Sequence, residues 1–241
     1  DSLISQTVTV RHNDTTIPVL LKSINKDRAE YKFNAIFEAG DKVEIEAASY
    51  GFDNIYGVSE FPSKAAIDGV RTSWYKEDGV DKLRISVDIT DIQDQQNYYR
   101  VVVKTKSVIL PLAAEEERWE TKEIDISQDQ IFSDYVGPTS QISPNYYRVF
   151  SERVFSDGNY TLKFSINFEP ASSWTDFTVV NYLRIELHNL KEPLFQYLNS
   201  ISLAHNLDYY SEPVAIYSNI SNGFGIIGTY SIPSIELQLN D

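Results

Sequence analysis

The chain contains no cysteine, so it can form neither a disulfide framework nor a thiolate metal site. It has only three histidines, which are His12, His188 and His205. None of them lies in an H-E-x-x-H motif, whereas a zinc site needs three or four converging ligands. We therefore predict no metal site of this kind and interpret the histidines as surface or helix-capping residues.

Signatures of nucleophilic catalysis and of membrane spanning are also missing. There is no G-x-S-x-G motif, and with so few histidines we do not expect a Ser-His-Asp relay. No apolar run reaches about 18 residues, which excludes a membrane-spanning helix. The sequence opens at Asp1 without methionine or a signal peptide, and we interpret it as a processed or trimmed chain.

Positive charge is scarce relative to negative charge. The chain has 21 basic and 35 acidic residues, giving a net charge of −14. Nucleic acids and anionic lipids both require a positive protein surface, so the composition argues against either as a partner. With 42% hydrophobic and 23% charged residues, the composition is typical of a folded globular protein rather than a disordered one.

Alternation of apolar and polar residues with a period of two is the dominant pattern present. It extends over residues 43–47, 83–90, 160–168 and 183–187. Residues 99–109 are rich in valine and tyrosine, and we interpret them as a strand buried on both faces. Turn signals such as Asp78-Gly79 and Asp157-Gly158 separate the segments. The pattern predicts an all-β, antiparallel β-sandwich with Ig-like architecture.

One segment departs from this period. Within residues 193–205 the apolar side chains recur at i, i+3, i+4 and i+7, at Leu194, Tyr197, Leu198 and Ile201. Pro193 suits a first helical turn, where its missing N–H has no partner to lose. We predict one short helix over 193–205, packed across a sheet.

The proline-led stretch 61–74 indicates a crossing from one set of strands to another. We predict an N-terminal Ig-like β domain over residues 1–70 and a larger C-terminal β-sandwich domain with the helix over residues 71–241. A single continuous sandwich is the alternative, since a chain of this length can bury a core in either arrangement.

The segment from Gly223 to Gly228 matches G-x-G-x-x-G letter for letter. A dinucleotide site needs this turn to open a helix, and an acidic residue about 20 positions later. Gly228 is followed instead by Thr-Tyr-Ser-Ile-Pro, which predicts a strand and a stop. We predict a tight turn at Asn222-Gly223, close backbone packing at the later glycines, and no cofactor.

Acidic residues offer two further candidates. Asp88, Asp91 and Asp94 lie three positions apart near a strand end, and calcium prefers clustered oxygen ligands. They do not match the D-x-D-x-D-G loop, so solvated turn residues are the favoured interpretation. A glycosidase-like carboxylate pair is defined by a separation of about 5 to 9.5 Å, which only a structure reveals. The sequence itself indicates no catalytic residue.

Aromatic residues make up 13% of the chain, including 16 tyrosines. Several tyrosines are adjacent in sequence, so on a strand one ring of each pair is expected to face outward. Exposed rings stack on sugars and peptides, although packing on a sheet surface is the more frequent role. The candidate ligand contacts are Tyr98, Tyr146, Tyr147, Tyr209 and Tyr210.

The closing segment 212–231, EPVAIYSNISNGFGIIGTYS, resembles that of domain of unknown function 4249, a family of Bacteroidetes surface lipoproteins. Other stretches resemble the same family in the same order. They are residues 37–46, 60–62, 88–91, 97–100 and 150–160. Val43 stands where an aromatic residue is common in the family, and Glu152 where aspartate is usual.

The resemblance implies a lipid-anchored protein of the outer membrane or cell surface, working beside a TonB-dependent transporter. The family's lipidated cysteine is not in this sequence, so the resemblance implies an anchor upstream of Asp1. Our leading hypothesis is a non-enzymatic module that binds a partner protein or a nutrient ligand, such as a peptide or glycan. The alternatives are a structural, adhesin-like component and a carbohydrate-active enzyme with two close carboxylates in a cleft.

Overall fold

The computed structural model describes residues 6–25, 28–92, 95–110, 118–126, 129, 131, 147–169, 178–205 and 213–239. Contacts divide the chain into two compact units. Unit 1 comprises Asp1–Ser63 and Leu190–Ser231, and unit 2 comprises Lys64–Asn189 and Ile232–Asp241. The division predicted at residue 70 concerns domains that fold independently. The division by contacts does not test this, so it stays a prediction.

The described elements follow one another mainly as antiparallel strands. In chain order they are β1 (Gln6–His12), β2 (Thr15–Ile17), β3 (Leu20–Ile24), β4 (Ala29–Lys32), β5 (Lys42–Ser49), β6 (Ile55–Glu60), β7 (Ala66–Glu77), β8 (Val80–Thr90), β9 (Tyr98–Leu110), β10 (Glu120–Lys122), β11 (Ile124–Asp125), β12 (Val149–Ser151), β13 (Asn159–Asn167), β14 (Thr178–Leu190), α1 (Glu192–His205), β15 (Tyr230–Ser231) and β16 (Ser234–Leu239).

Unit 1 is built on a sheet in the order β2-β1-β5-β6, with β3 and β4 forming a separate hairpin. The register of β1 on β5 places Gln6 opposite Ser49 at one end of the sheet. Val10, Val43 and Ile227 form the buried centre of this unit. Ile227 comes from the closing segment, so the core of unit 1 joins residues far apart in sequence.

The predicted helix is confirmed as α1, which begins one residue earlier than expected. Glu192 lies in its first turn, where a negative charge offsets the positive end of the helix dipole. The helix belongs to unit 1, although the sequence-based division grouped it with residues 71–241. Its partner is the closing segment, because a side chain at Gly228 would approach Leu194 Cδ1 to 2.7 Å and Leu194 Cβ to 3.0 Å.

Unit 2 is a sandwich with one apolar core. One sheet has the order β11-β13-β8-β7, and the other joins β10, β9 and β14, with β12 added to β9 and β16 to β14. The inward positions of both sheets are apolar and buried, as the alternation predicted. The fully buried side chains of this core include Leu83, Ile85, Leu162, Phe164, Leu183, Ile185 and Leu187.

Strand β9 differs from its predicted burial on both faces. Its inward residues Tyr99, Val101 and Val103 are buried, but the outward residues Arg100 and Lys104 are half-buried. Long basic side chains can cover the sheet with their aliphatic parts while the charged group stays near solvent. The outer face of this sheet is therefore polar rather than a second apolar core.

The predicted all-β, antiparallel, sandwich-like fold with one α-helix is confirmed for the described part of the chain. The tight turns at Asp78-Gly79 and Asp157-Gly158 occur as expected, with left-handed backbone at both positions of each pair. Among the described residues, none of the helical segments has the length and apolar character needed to cross a membrane.

The contact between Gly228 and α1 can be tested by substitution. We expect Gly228→Ala to lower the free energy of unfolding by about 1 to 3 kcal/mol, because the new methyl group overlaps the Leu194 side chain. Gly69→Ala is the matched control, since the nearest atom to its added methyl group would be Asp88 Oδ2 at 3.5 Å. Urea unfolding of both variants measures the effect, and equal midpoints would contradict the proposed packing role.

Candidate functional site

Three aromatic side chains of unit 1 are exposed to an extent that is unusual for large apolar residues. Tyr50 is 93% exposed, Phe52 is 78% exposed and Phe224 is 99% exposed. We refer to these three residues as the aromatic tip. Large apolar side chains held in water can mark a contact site on a soluble domain.

The first two rings lie in the turn that follows β5. Tyr50 and Phe52 flank Gly51, whose φ of 84° is in the left-handed region that glycine adopts without strain. The Phe52 N–H donates to the Ser49 carbonyl at 3.2 Å, which closes the turn. Because the turn lies beyond the end of the strand, neither ring has a sheet face to cover.

The third ring lies in the closing segment, between Gly223 and Gly225. The Gly225 N–H donates to Ser218 Oγ at 3.2 Å, and the Asn219 N–H donates to the Gly225 carbonyl at 3.2 Å. Gly225 has a φ of 142°, again a conformation that favours glycine. The residues that resemble the family's closing motif therefore fold into a hydrogen-bonded loop that presents Phe224 to solvent.

Hydrogen bonds join the two turns. Tyr56 and Ser221 form a reciprocal backbone bridge, with N–O distances of 3.3 and 2.8 Å. Asn222 Nδ2 donates to the Asn54 carbonyl at 3.1 Å. These contacts fix the loop carrying Phe224 beside the turn carrying Phe52, so the tip is presented by a supported scaffold.

The two turns that carry the tip contain few charged residues of their own. Between residues 49 and 56 the only ionisable side chains are those of Tyr50, Asp53 and Tyr56, and residues 213–225 contain no basic or acidic residue. Charged side chains of neighbouring strands lie beside these turns, since Asn54 Nδ2 donates to Glu46 Oε1 at 3.2 Å and Glu46 pairs with Arg11. An aromatic side chain that becomes fully buried removes at least about 150 Å² from water. This area corresponds to roughly 4 kcal/mol of hydrophobic free energy, before the entropy lost on binding is subtracted.

The tyrosines predicted as ligand contacts have different surroundings. Tyr98 is 5% exposed and Tyr99 is 0% exposed, so neither ring of this pair offers a stacking surface. Tyr147 is half-buried, with its ring centroid 5.7 Å from the guanidinium carbon of Arg100. Tyr146, Tyr209 and Tyr210 lie outside the described residues.

A second cluster, in unit 2, joins two of the stretches that resemble the family. The Tyr99 hydroxyl donates to Asp91 Oδ1, and the Asn97 N–H donates to Glu152 Oε2 at 2.7 Å. The carboxyl groups of Asp91 and Glu152 are near enough to influence each other electrostatically. Burial, followed by the interaction with the Asp91 carboxyl group, raises the pKa of Glu152 and so favours its protonated form.

An aromatic stack extends from this carboxyl pair. The Tyr99 ring is stacked on Phe155 at 5.6 Å, and Phe155 is stacked on Tyr160 at 5.2 Å between centroids. The Tyr160 hydroxyl donates to Asp129, whose Oδ2 also accepts from the Lys163 N–H at 2.6 Å. Burial, and then the hydrogen bonds to carboxylates, raise the pKa values of Tyr99 and Tyr160, so both phenols stay protonated donors.

The chemistry of this cluster favours a structural role. A glycosidase pair needs about 5 Å or more between its carboxyl groups to admit a sugar carbon or a water molecule. Asp91 and Glu152 both accept hydrogen bonds from the chain itself, from the Tyr99 hydroxyl and from the Asn97 N–H. The cluster instead links the loop after β8, the start of β9 and the turn after β12.

The calcium candidates do not form a cluster in the described residues. Asp88 accepts hydrogen bonds from the Arg71 guanidinium and from Thr161 Oγ1, Asp91 belongs to the carboxyl pair, and Asp94 lies outside the described residues. Within the described ranges, no group of three or more His, Cys, Asp or Glu side chains is arranged to hold a metal ion.

Two histidines have carboxylate partners. His12 lies 2.8 Å from Asp41, whose pKa is lowered to about 2, chiefly by the Glu38 N–H and then by Asn13. His188 was expected at the surface but is buried, and its Nε2 lies 3.1 Å from Glu186 Oε2. Burial lowers the pKa of His188, because the charged ring loses hydration on the crowded outer face of β14.

Sequence reasoning did not identify the aromatic tip. The predicted ligand contacts were adjacent tyrosines on strands, where one ring of each pair is expected to face outward. The signal was instead an aromatic residue within a glycine turn, as in Tyr50-Gly51-Phe52 and Gly223-Phe224-Gly225. A turn residue has no regular face, so a large apolar side chain there lacks the usual route to burial.

The raised pKa of Glu152 predicts a pH-dependent stability. The folded state holds this proton more tightly than the unfolded chain, so the free energy of unfolding should fall as the pH rises from about 4.5 through the raised pKa. Glu152→Gln keeps the hydrogen bonds without ionising. Relative to the native chain, its stability should therefore increase over this range, by on the order of 1 kcal/mol or less given solvent screening.

Urea unfolding between pH 3 and pH 8 measures this difference. Asp88→Asn is the control of opposite sign, because the Arg71 hydrogen bond lowers the pKa of Asp88 and stabilises its charged form. That variant should lose stability relative to the native chain as the pH rises from the folded pKa of Asp88 through the unfolded value of 3.8. Parallel pH profiles for the native chain and Glu152→Gln would contradict the raised pKa of Glu152.

Comparison with known proteins gives a family but no close relative. No curated protein and no solved structure was found to match the chain. One family model matches residues 2–236 and so covers both units and both clusters described above. The resemblance noted in the closing segment and in the stretches around Asp91 and Glu152 is thereby confirmed. The chain belongs to the family described as Domain of unknown function (DUF4249).

Proposed function

We propose that this protein is a non-enzymatic binding module whose aromatic tip contacts a partner protein. The observation that carries the proposal is the exposure of Tyr50, Phe52 and Phe224 on two turns held together by hydrogen bonds. Aromatic residues are the side chains that most often dominate the energy of protein interfaces. A supported scaffold lowers the entropy that such a contact would lose on binding.

A macromolecular partner suits this surface better than a small nutrient. Sites for small ligands are concave and bury most of the ligand surface. The three rings are at least 78% exposed, so they do not enclose a volume of that kind.

We place this module in the outer membrane or on the cell surface, held by a lipid anchor upstream of Asp1. The partner we propose is a TonB-dependent outer-membrane transporter. The support for both statements is the family resemblance of the sequence motifs. The resemblance favours a function in which the module and the transporter exchange a nutrient ligand, with a peptide or glycan as cargo.

A structural, adhesin-like role is the second candidate, and one observation favours it. Strand β7, Ala66–Glu77, lies at the edge of its sheet in unit 2 and is largely exposed. An edge strand presents unpaired backbone groups to which a donor strand can add. Filaments or strand-exchanged oligomers of the purified chain would favour this role over transporter binding.

Capture from native outer membranes tests the leading proposal. The lipidated protein is compared with a variant carrying Tyr50→Ser, Phe52→Ser and Phe224→Ser, and recovery of an identified TonB-dependent transporter is quantified by mass spectrometry. We expect the triple variant to recover at least tenfold less transporter, because each lost ring removes apolar contact area. Ile36→Ser is the matched control, since Ile36 is 88% exposed but lies in the loop leading to the opposite end of β5.

Three outcomes separate the interpretations. Loss of the transporter in the triple variant alone supports the proposal. Equal recovery by the triple variant and the Ile36→Ser control excludes the tip as the contact surface. Binding of the chain to phosphatidylcholine vesicles, lost in the triple variant, would assign the tip to the lipid surface and contradict a protein partner.

A further inference from the structure

Residues 222 and 223 form the only Asn-Gly pair of the chain, and the structure requires each of them for its own reason. Asn222 has a φ of 58°, a left-handed conformation that asparagine tolerates better than most residues. A side chain at position 223 would approach Ile55 Cγ2 to 2.9 Å, so glycine is the residue that fits without displacing Ile55. The turn therefore places next to each other two residues that can react together.

The backbone nitrogen of Gly223 is available as a nucleophile. Glycine has no Cβ, so another group can approach its backbone closely. Asn222 is exposed to water, and within the described part of the chain the Gly223 N–H has no hydrogen-bond partner. An N–H bound to a carbonyl would have to break that bond before its nitrogen could react. Gly223 has no such bond to lose.

The side-chain amide of Asn222 is also a contact between the two turns of the aromatic tip. Its Nδ2 donates to the Asn54 carbonyl at 3.1 Å. The neighbouring bridge between Tyr56 and Ser221 uses backbone groups of both residues. A chemical change of the Asn222 amide would therefore act on the attachment of the loop that carries Phe224.

We propose that Asn222-Gly223 is a site of spontaneous deamidation that weakens the contact between the two turns of the aromatic tip. The Gly223 nitrogen loses its proton and attacks Asn222 Cγ, and the Cγ–Nδ2 bond breaks. The Nδ2 group takes up a proton and leaves as ammonia, while the new C–N bond closes a cyclic succinimide. Water then opens the ring at either carbonyl, adding its hydroxyl to the carbon and returning a proton to the Gly223 nitrogen. The product is aspartate or isoaspartate at position 222, and water is the co-reactant.

Both products lose the hydrogen bond to Asn54. A carboxylate accepts hydrogen bonds but has no N–H to donate, so it cannot replace the amide opposite a carbonyl oxygen. Isoaspartate also adds one carbon to the backbone before Gly223, in the loop whose hydrogen bonds position Phe224. The consequence for binding of a partner rests on the proposed function, whereas the reaction and its effect on the turns do not.

Incubation of the purified chain over days, at pH 6 and at pH 8.5, tests the reaction. Peptide mass spectrometry measures conversion at each asparagine. Asn34 is the internal reference, because it is exposed, precedes Ala35 and has no hydrogen-bond partner among the described residues. We expect conversion at Asn222 to be at least about tenfold faster, since a methyl group shields the nitrogen of Ala35. It should also be faster at pH 8.5, because the attacking nitrogen must lose its proton. Equal rates at the two asparagines would overturn the proposal.

Thermal unfolding measures the effect on the turns. Asn222→Asp reproduces one product and should lower the Tm by about 2 to 4 °C, because one hydrogen bond is lost. Asn34→Asp is the matched control, since it makes the same charge change in unit 1 without removing a hydrogen bond, and should stay within about 1 °C of the native Tm. If Asn222→Asp does not fold, the Tm of the incubated native chain decides, because it should fall as the converted fraction grows. Equal Tm values for the two variants would contradict a weakened contact.

Capture from native outer membranes separates this inference from the proposed function. The lipidated Asn222→Asp variant should recover about threefold less transporter than the native protein, while Asn34→Asp should recover as much as the native protein. Equal recovery by all three proteins would overturn the effect on the tip. A native protein that recovers no transporter would contradict the proposed function instead, because faster conversion at Asn222 and the fall in Tm are measured without a partner.

Discussion

The apolar layer between the two sheets of unit 2 sets the position of every other feature in that unit. Leu162 is paired with Val87 and Phe164 with Ile85, so neighbouring strands present their apolar side chains to the same interior. A register shift of one residue would turn Arg84 or Lys163 into this layer and expose the apolar set. Because such a shift is so unfavourable, the alternation of the sequence specifies the register of strands once they pair.

This fixed register determines where chemistry can occur. Tyr99 is an inward residue of β9, and its hydroxyl reaches the edge of the core, where Asp91 accepts its hydrogen bond. Arg100, the next residue, is turned to the opposite face by the two-residue period. A hydrogen-bonded carboxyl cluster and a half-buried arginine on the outer face thus come from adjacent positions of one strand.

Local patterns in the sequence were sufficient to predict the strands, the helix and the tight turns. Each depends on neighbours within a few residues, as in the apolar spacing of α1 or the Asp78-Gly79 pair. The association of segments far apart in sequence was not accessible in this way. The core of unit 1 combines Val10 and Val43 with Ile227, and nothing in a periodic pattern specifies which sheet a distant segment will join.

The same limit applies to the candidate sites. The carboxyl pair needs Asp91 and Glu152 together, and their proximity follows from the pairing of β12 with β9. The tip needs two glycine turns that are separated by most of the chain and joined through Tyr56 and Ser221. The glycines themselves were recognised in the sequence, but as packing and turn residues. Their further effect, exposing an aromatic ring between them, depends on backbone geometry.

The pairing of Gln6 with Ser49 has a mechanical consequence for the proposed function. It brings the incoming end of β1 next to the turn that carries Tyr50 and Phe52. A tether joined to this end would hold Tyr50 and Phe52 near its own attachment point. Confinement of this kind raises the effective concentration of the rings toward neighbours in the same layer, to the millimolar range for a short flexible linker. A modest intrinsic affinity would then be enough for stable docking.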